Sequence, residues 1–505
     1  MTSSHQLTAN FDNELSFSQF LENFQNSVKR AFHEIDNIDV FSGARGFPQA
    51  VLDEIKSANP FSLVIPKKYG GFGANVKQNI AMISAASYES LALSLTLGIN
   101  NALFVQPFSK YGQESFKQKV FDRFVKNHAL GGLMITEPEF GSDALNMQTS
   151  VTVKENKYHF EGKKHWQGLT GMADFWLLTG RRKSENGNLM RDIEMFVSDN
   201  SVPNQKIVVE EYFQNLGLYQ IPYGLNKLDV LLPEDQRLIP HSTGVKMMLD
   251  LLHRSRFQFP AMGLGFIKRL LDEAIEHTKT RLVGGKNLIT YDQVQQRLSR
   301  MQANFTICSA FCHKSSQVAD IENDLSPLGL EANMIKSITS DMMQESAQNL
   351  LQLVGAKGYK LNNIAGSAVV DSRPFQIFEG SNDILYQQIT ESVVKTLKGI
   401  KEFNLSKFIK DFTPRAFDFV KKMLDFDVNI QMSQRNSVIF GQLISRIYAI
   451  ELVSQLKEKT FNNDLADNSI ELLNFDVTTL LSQYNSNNST KVIIDYQENS
   501  YWYDK

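Results

Sequence analysis

The chain of 505 residues balances 52 Lys and Arg against 55 Asp and Glu, so its net charge of -3 gives no bulk attraction to nucleic acid or to an acidic membrane. At 42% hydrophobic and 21% charged residues it is apolar enough to bury a core and long enough for roughly two to four domains. Two cysteines, Cys308 and Cys312, are too few for a disulfide framework or a zinc site and read as reduced, partly buried thiols. The N-terminus carries Asp12 and Glu14 and shows neither an apolar nor an Arg-rich leader, and no window approaches about 18 uncharged apolar residues. A cytoplasmic protein without an integral membrane segment is therefore expected.

Residues 1–132 read as an N-terminal helical domain, with apolar residues at helical spacing over Phe17 to Ile35 and Val76 to Thr96. The glycines of Val64-Ile-Pro-Lys-Lys-Tyr-Gly-Gly-Phe-Gly73 have no Lys-Ser/Thr after them, so they mark a turn between helices and not a phosphate loop. Over residues 133–238 the period drops to two. Val151–Val153, Tyr158–Phe160, Phe175–Leu177, Met195–Val197 and Lys206–Val209 predict short strands of a central antiparallel β domain, with Glu155-Asn156 as a hairpin tip. No helical pattern alternates with them, and Gly263-Leu-Gly265 falls in a helical stretch without a third glycine, so a dinucleotide fold is excluded. Residues 239–398 return to long helical periods at Lys246 to Arg281, Thr290 to Val318, Leu330 to Val354 and Asn382 to Leu397, a four-helix bundle. Residues 399–505 form a helical C-terminal extension, with Ile439, Leu443, Ile444 and Ile447 on one face and Leu465 to Tyr484 as a second amphipathic helix. The fold class is α+β multidomain. Acids interleave the basic residues of Phe403 to Asp427, so no basic stripe for nucleic acid arises, and Asp495 to Asp504 read as solvent-facing.

Three short segments and one arginine stand out. Leu133-Met-Ile-Thr-Glu-Pro-Glu-Phe-Gly-Ser-Asp143 sets an apolar strand end against a turn rich in backbone amides and hydroxyls, a place to hold a polar ring edge. Lys163-Lys-His-Trp166 follows, then Phe378-Glu-Gly-Ser-Asn-Asp383, with Arg281 at a helix end before Gly284-Gly285. Glu379 comes after the apolar run Phe375 to Phe378, which would desolvate its carboxylate and raise its pKa, and precedes Gly380, which lets backbone approach a ligand. On the residues alone a Glu ahead of a helix is more often solvated, Trp166 is more often a packed strand aromatic, and Arg281 answers equally to a helix C-terminal cation. In type, order and spacing these segments resemble the acyl-CoA dehydrogenase flavoprotein family over roughly residues 15 to 400.

The resemblance implies FAD-dependent α,β-dehydrogenation of an acyl thioester, acyl-CoA or another carrier, with Glu379 removing the α-proton while flavin N5 takes the β-hydride. It implies that Leu133, Ile135, Thr136, Gly141 and Ser142 contact the flavin and that Trp166 covers its dimethylbenzene side. Arg281 would reach the pyrophosphate of a neighbouring subunit's FAD, Gln352 and Gly355 would lie on the adenosine side, and Ser381 and Asp383 would touch the cofactor. Ser142, Arg256, Gly380, Leu95 and Ile99 would line the substrate, the last two facing the alkyl chain. The implied partners are an electron-transfer flavoprotein or similar acceptor and a second copy, as homodimer or homotetramer. Ser255, before Arg256, stands where some members carry an alternative base. Glu137 and Asp143 are assigned to loop and cap geometry.

Departures from the family pattern leave alternatives open. Gly168 stands where most members place a Thr or Ser on flavin N5, so that bond must come from backbone, from Thr170, or be lost. Gly284 replaces an aromatic, Asp292 a common Gln, and Tyr219 a common Arg. A flavin oxidase or monooxygenase on the same scaffold, or a non-catalytic flavin-binding protein, are the competing readings.

Overall fold

The computed structural model describes residues 16–35, 46–360, 362–486, 490–500 and 502; Asp12, Glu14 and Asp504 lie outside these. α1 (Phe17–Arg30) starts at a reciprocal Ser16/Gln19 capping box and buries Phe20, Phe24 and Val28. α2 (Gln49–Ser57) and α3 (Val76–Glu89) follow. The helical period predicted to run on to Thr96 breaks at Ser90, which caps α4 (Leu91–Gly98) by accepting the Leu93 N–H. A π-helical stretch, Ile99–Val105, joins α4 to α5 (Gln106–Tyr111), and α6 (Glu114–Asn127) closes this layer. Leu91–Tyr111 is, contrary to expectation, long and apolar enough to cross a membrane by length and composition, but it is wholly buried as the core of the helical layer.

The middle of the chain folds as a curled sheet of β1 (Gly131–Met134), β2 (Ser150–Lys154), β3 (Lys157–His165), β4 (Phe175–Arg182), β5 (Glu194–Asp199), β6 (Val208–Tyr212) and β7 (Gly224–Leu232). The order is β1-β4-β2-β3-β7-β6, with β5 on β4. Most neighbours are antiparallel, and β4 pairs in parallel with β1 and β2. The β2–β3 tip is Glu155-Asn156, both at positive φ (49° and 60°), the conformation a two-residue hairpin turn requires.

α7 (Gly244–Thr280) is the spine of the bundle, completed by α8 (Asp292–Val318), α9 (Gly329–Val354), the short α10 (Ile364–Ser372) and α11 (Asn382–Ile400). A hairpin of β8 (Leu282–Val283) and β9 (Lys286–Asn287) projects from the end of α7. A Cβ on Gly265 would lie 2.0 Å from the Ser84 carbonyl, so only glycine lets α3 and α7 meet at this distance. Cys308 and Cys312 are free and buried on α8. The extension comprises α12 (Leu405–Phe412), α13 (Pro414–Val420), α14 (Gln434–Lys457) and α15 (Asn463–Asn485). α14 also passes the length and composition test for a membrane span, yet most of it is buried against α11 and α15.

Candidate active site

Glu379 lies in the turn between α10 and α11 at φ 54°, the left-handed region, followed by Gly380 at φ 92°. A side chain at 380 would meet Leu385 at 2.9 Å and the Arg256 guanidinium at 3.4 Å. The Glu379 carboxylate accepts the Ser255 hydroxyl at Oε1 (2.8 Å), while Oε2 is sealed from solvent and has no partner. Its backbone N–H finds no acceptor among the described residues. Phe259, Phe375 and Phe378 pack together at its side, 4.9 to 6.0 Å between ring centres. Burial raises its pKa above the ordinary carboxylate value, against the opposing pull of the Ser255 hydroxyl and the charges of Arg256 and Lys336.

Arg256 serves the same turn from behind. Its Nη2 donates to the Glu379 carbonyl (2.8 Å) and its Nη1 to Asn333 Oδ1 (2.6 Å), and its Nε is buried. Each terminal nitrogen is engaged once by the protein, so Arg256 supports the loop that carries Glu379. Lys336, which the sequence reading passed over, donates to the Gly380 carbonyl (2.9 Å) and to Asn382 Oδ1 (3.0 Å). Fully buried, it is pushed down to about 7 by desolvation and by Arg256, with Glu379 pulling the other way. No local signal marks it, because Asn333, Ser337 and Ser340 share its face and α9 reads as an ordinary mixed helix.

Leu133, Ile135 and Thr136 are half-buried at the end of β1, and Gly141 and Ser142 are exposed in the turn beyond it. The Thr136 carbonyl accepts the His165 N–H (2.8 Å) and the Gln167 side-chain amide (3.2 Å), whose own oxygen is buried and unpartnered. Glu137 anchors the turn: it accepts the N–H groups of Gln148 (2.5 Å) and Thr149 (2.9 Å) and pairs with the fully buried Lys164 (3.0 Å). Asp143 accepts the Asn146 amide. Trp166, 50% exposed at φ 62°, leans on Phe213 at 4.6 Å and leaves a ring face open, unlike a packed strand aromatic. The Thr170 hydroxyl is buried, donates to the Gln167 carbonyl (2.7 Å) and accepts from Asn226 (3.1 Å), so it cannot turn to a flavin. A Cβ at Gly168 would lie 2.9 Å from Ile99 Cδ1, so a larger residue there would need the Ile99 side chain to turn aside. Ile99 and Leu95 are buried, and Gly98 faces Met262 of α7.

Other expected contacts lie elsewhere. Arg281 is exposed at the end of α7, about 39 Å of helix rise from Ser255, and Gln352 and Gly355 sit at the end of α9, about 24 and about 28 Å beyond Lys336. Ser381 caps α11 without a side-chain cap bond, and Asp383 is exposed in its first turn. The orphaned Gln167 oxygen and the half-exposed Trp166 ring at the edge of the sheet suit the rim and face of a planar heteroaromatic cofactor.

Helical layer, curled sheet and helical bundle, in this chain order, are the three-domain architecture of an oxidoreductase family acting on CH–CH bonds. The chain matches the acyl-CoA dehydrogenase N-terminal domain over residues 18–128, its middle domain over 132–229 and its C-terminal domain over 242–394, and it belongs to the acyl-CoA dehydrogenase family. It is 26% identical over 343 residues to an acyl-CoA dehydrogenase of Bacillus subtilis, covering 67% of this chain and 88% of that one. The mouse mitochondrial very long-chain specific acyl-CoA dehydrogenase is 24% identical over 386 residues, which cover 73% of this chain and 56% of that protein. Butyryl-CoA dehydrogenase of Megasphaera elsdenii superposes with a TM-score of 0.65 at 21% identity, over 76% of this chain and all of that one. The prolyl acyl carrier protein oxidase AnaB gives 0.67 at 17% identity, over 74% and 99%.

Proposed function

We propose that the protein dehydrogenates an acyl thioester, with Glu379 as the base at its α-carbon and FAD as cofactor. The observation that carries this reading is the sealed, unpartnered Glu379 Oε2 beside the Ser255 hydroxyl. FAD, when bound, supplies the acceptor for the β-hydride. Glu379 Oε2 takes the α-proton; Ser255 orients the carboxylate by donating to its other oxygen; the Glu379 N–H is free to bind the thioester oxygen and acidify the α-carbon. Arg256 and Lys336 fix the carbonyls of Glu379 and Gly380, and the three phenylalanines exclude water. Leu133, Ile135, Thr136, Gly141, Ser142 and Trp166 would hold the flavin ring; Ser381 and Asp383 would border it. Gly380 and Ser142 would touch the substrate, and Leu95 and Ile99 would face its alkyl chain. Arg281, Gln352 and Gly355 lie too far along their helices to reach the same cofactor, so they would serve a partner's FAD in a dimer or tetramer. An electron-transfer flavoprotein would accept the electrons, and two buried reduced thiols suit the cytoplasm.

The test is anaerobic mixing of the flavin-loaded protein with acyl-CoAs of graded length. Bleaching of the flavin, with turnover requiring an added electron acceptor, is the expected result. Rapid reoxidation by oxygen would establish instead the oxidase reading, which is favoured by one observation: Gly168 offers no side-chain hydroxyl to flavin N5 and the Thr170 hydroxyl is already committed, leaving only backbone. No bleaching with any acyl-CoA would overturn the thioester reading.

A further inference from the structure

Asp341 of α9 ties together the two ends of the turn that carries Glu379. Its Oδ1 accepts the side-chain amides of Gln376 and Asn382, each at 2.7 Å, three residues before and three after Glu379. Its Oδ2 accepts the Tyr386 hydroxyl at 2.7 Å. Asn382 passes the connection on, accepting Lys336 Nζ at 3.0 Å, and Lys336 holds the Gly380 carbonyl. A carboxylate that gathers three neutral donors is held in place more firmly when a cation faces it as well.

Lys336 acts on Asp341 from within α9, and the cation that faces it directly comes from outside the bundle. The only ion pair of Asp341 among the described residues is with Arg446 of α14, Nη2 to Oδ2 at 3.9 Å, and Arg446 is 16% exposed with its Nη1 buried and unpartnered. α14 can deliver it because Gly441 lets the helix press on α11: a Cβ there would lie 2.1 Å from the Tyr386 carbonyl. Thr390 of α11 donates to the Ser437 carbonyl (2.6 Å), and α15 is fastened to α8 by a bidentate Arg300–Asp476 pair at 2.8 and 2.9 Å.

We propose that the C-terminal extension is part of the machinery of the base: Arg446 is a positioning residue that holds the Glu379 turn through Asp341. The inference rests on the assignment of Glu379 given above. Without Arg446, Asp341 loses the cation that faces its Oδ2 and is freer to swing away, and that movement releases Gln376 or Asn382. Displacement of a reacting group by about 1 Å can cost on the order of 10²-fold in rate.

The test uses the full-length, flavin-loaded protein and the variants Arg446→Met, Arg446→Lys and Asp341→Asn/Arg446→Met. Hydrogen exchange is read over residues 375–385 and over α14, alongside the rate of flavin reduction by whichever of butyryl-, octanoyl- or palmitoyl-CoA reduces the wild type. In Arg446→Met the 375–385 segment should exchange at least about tenfold faster while α14 stays protected, and flavin reduction should slow about 10- to 100-fold. Arg446→Lys should restore both, and the double variant should be milder than Arg446→Met, because Asp341→Asn keeps an acceptor at that position without a charge to compensate. Unchanged exchange at 375–385, loosening shared equally by α14, or loosening without any loss of rate would each overturn the proposal. Should Arg446→Met not fold, the comparison of Arg446→Lys with the double variant decides in the same way. If the turn loosens as expected but Glu379→Gln still reduces its flavin, the base assignment fails and the support of the turn by Arg446 stands.

Discussion

Glu379 is held where an L residue costs of order 1–2 kcal/mol in backbone strain, and Arg256 and Lys336 offset it by clamping its own carbonyl and that of Gly380. The clamp also sets the electrostatics. With its folded pKa raised above 4.5, Glu379 stays protonated to higher pH than a free glutamate; its contribution to stability is complete below 4.5 and is lost as pH rises through the folded value. The base is the ionised form, so flavin reduction should rise with pH through that same value. Lys336→Met removes a positive neighbour and should move the rising limb to still higher pH. Glu379→Gln should abolish the limb and slow reduction by about 10²–10⁴-fold while retaining flavin and a substrate analogue. Stopped-flow reduction across pH checks both; a Lys336→Met profile that overlays the wild type would show that the lysine does not tune the base.

Helices in this chain meet through single glycines, and those contacts decide where the site's halves sit. Gly265 on α7 lies against the Ser84 carbonyl of α3, and Ser87 donates to the Met262 carbonyl one turn away (2.5 Å). Gly265→Val must push backbone from backbone and should destabilise the fold by about 1–3 kcal/mol, read as a lowered midpoint of thermal unfolding. The long helices of the bundle were legible because their apolar period runs unbroken for twenty residues or more, as was the Glu155-Asn156 hairpin, whose residue types suit a left-handed turn. β7 was not, because its inward row includes the fully buried Asn226, which breaks the alternation. The burial of the Glu379 carboxylate was legible through its apolar neighbours in sequence. Lys336, Asp341 and Arg446 were not, since they converge from α9 and α14 and nothing local marks them. The Lys164–Glu137 pair was hidden in the same way, each partner reading as an ordinary loop or strand charge.

At the scale of the whole molecule, the exposed end of α7 is the feature a single chain does not account for. Arg281 caps that helix with no ion pair among the described residues, and the hairpin after it turns on Gly284 and Gly285, both at positive φ, and exposes Leu282 at 60% and Val283 at 44%. Arg281 is about 39 Å of helix from Ser255, farther than one cofactor spans, so if it binds a pyrophosphate it binds one whose flavin ring lies in another subunit. A mixed oligomer can decide this. Arg281→Ala alone should weaken FAD retention by about 10- to 100-fold, the worth of a charge-assisted contact, and be inactive at limiting FAD. Glu379→Gln should be inactive with FAD bound. When the two chains are co-expressed, each hybrid dimer with the contact in trans contains one site built from an intact Glu379 and an intact Arg281. Random pairing then restores roughly a quarter of the wild-type activity at limiting FAD. With the contact in cis, every site in the hybrid carries one lesion and no activity returns, an outcome that would place Arg281 outside any partner's cofactor.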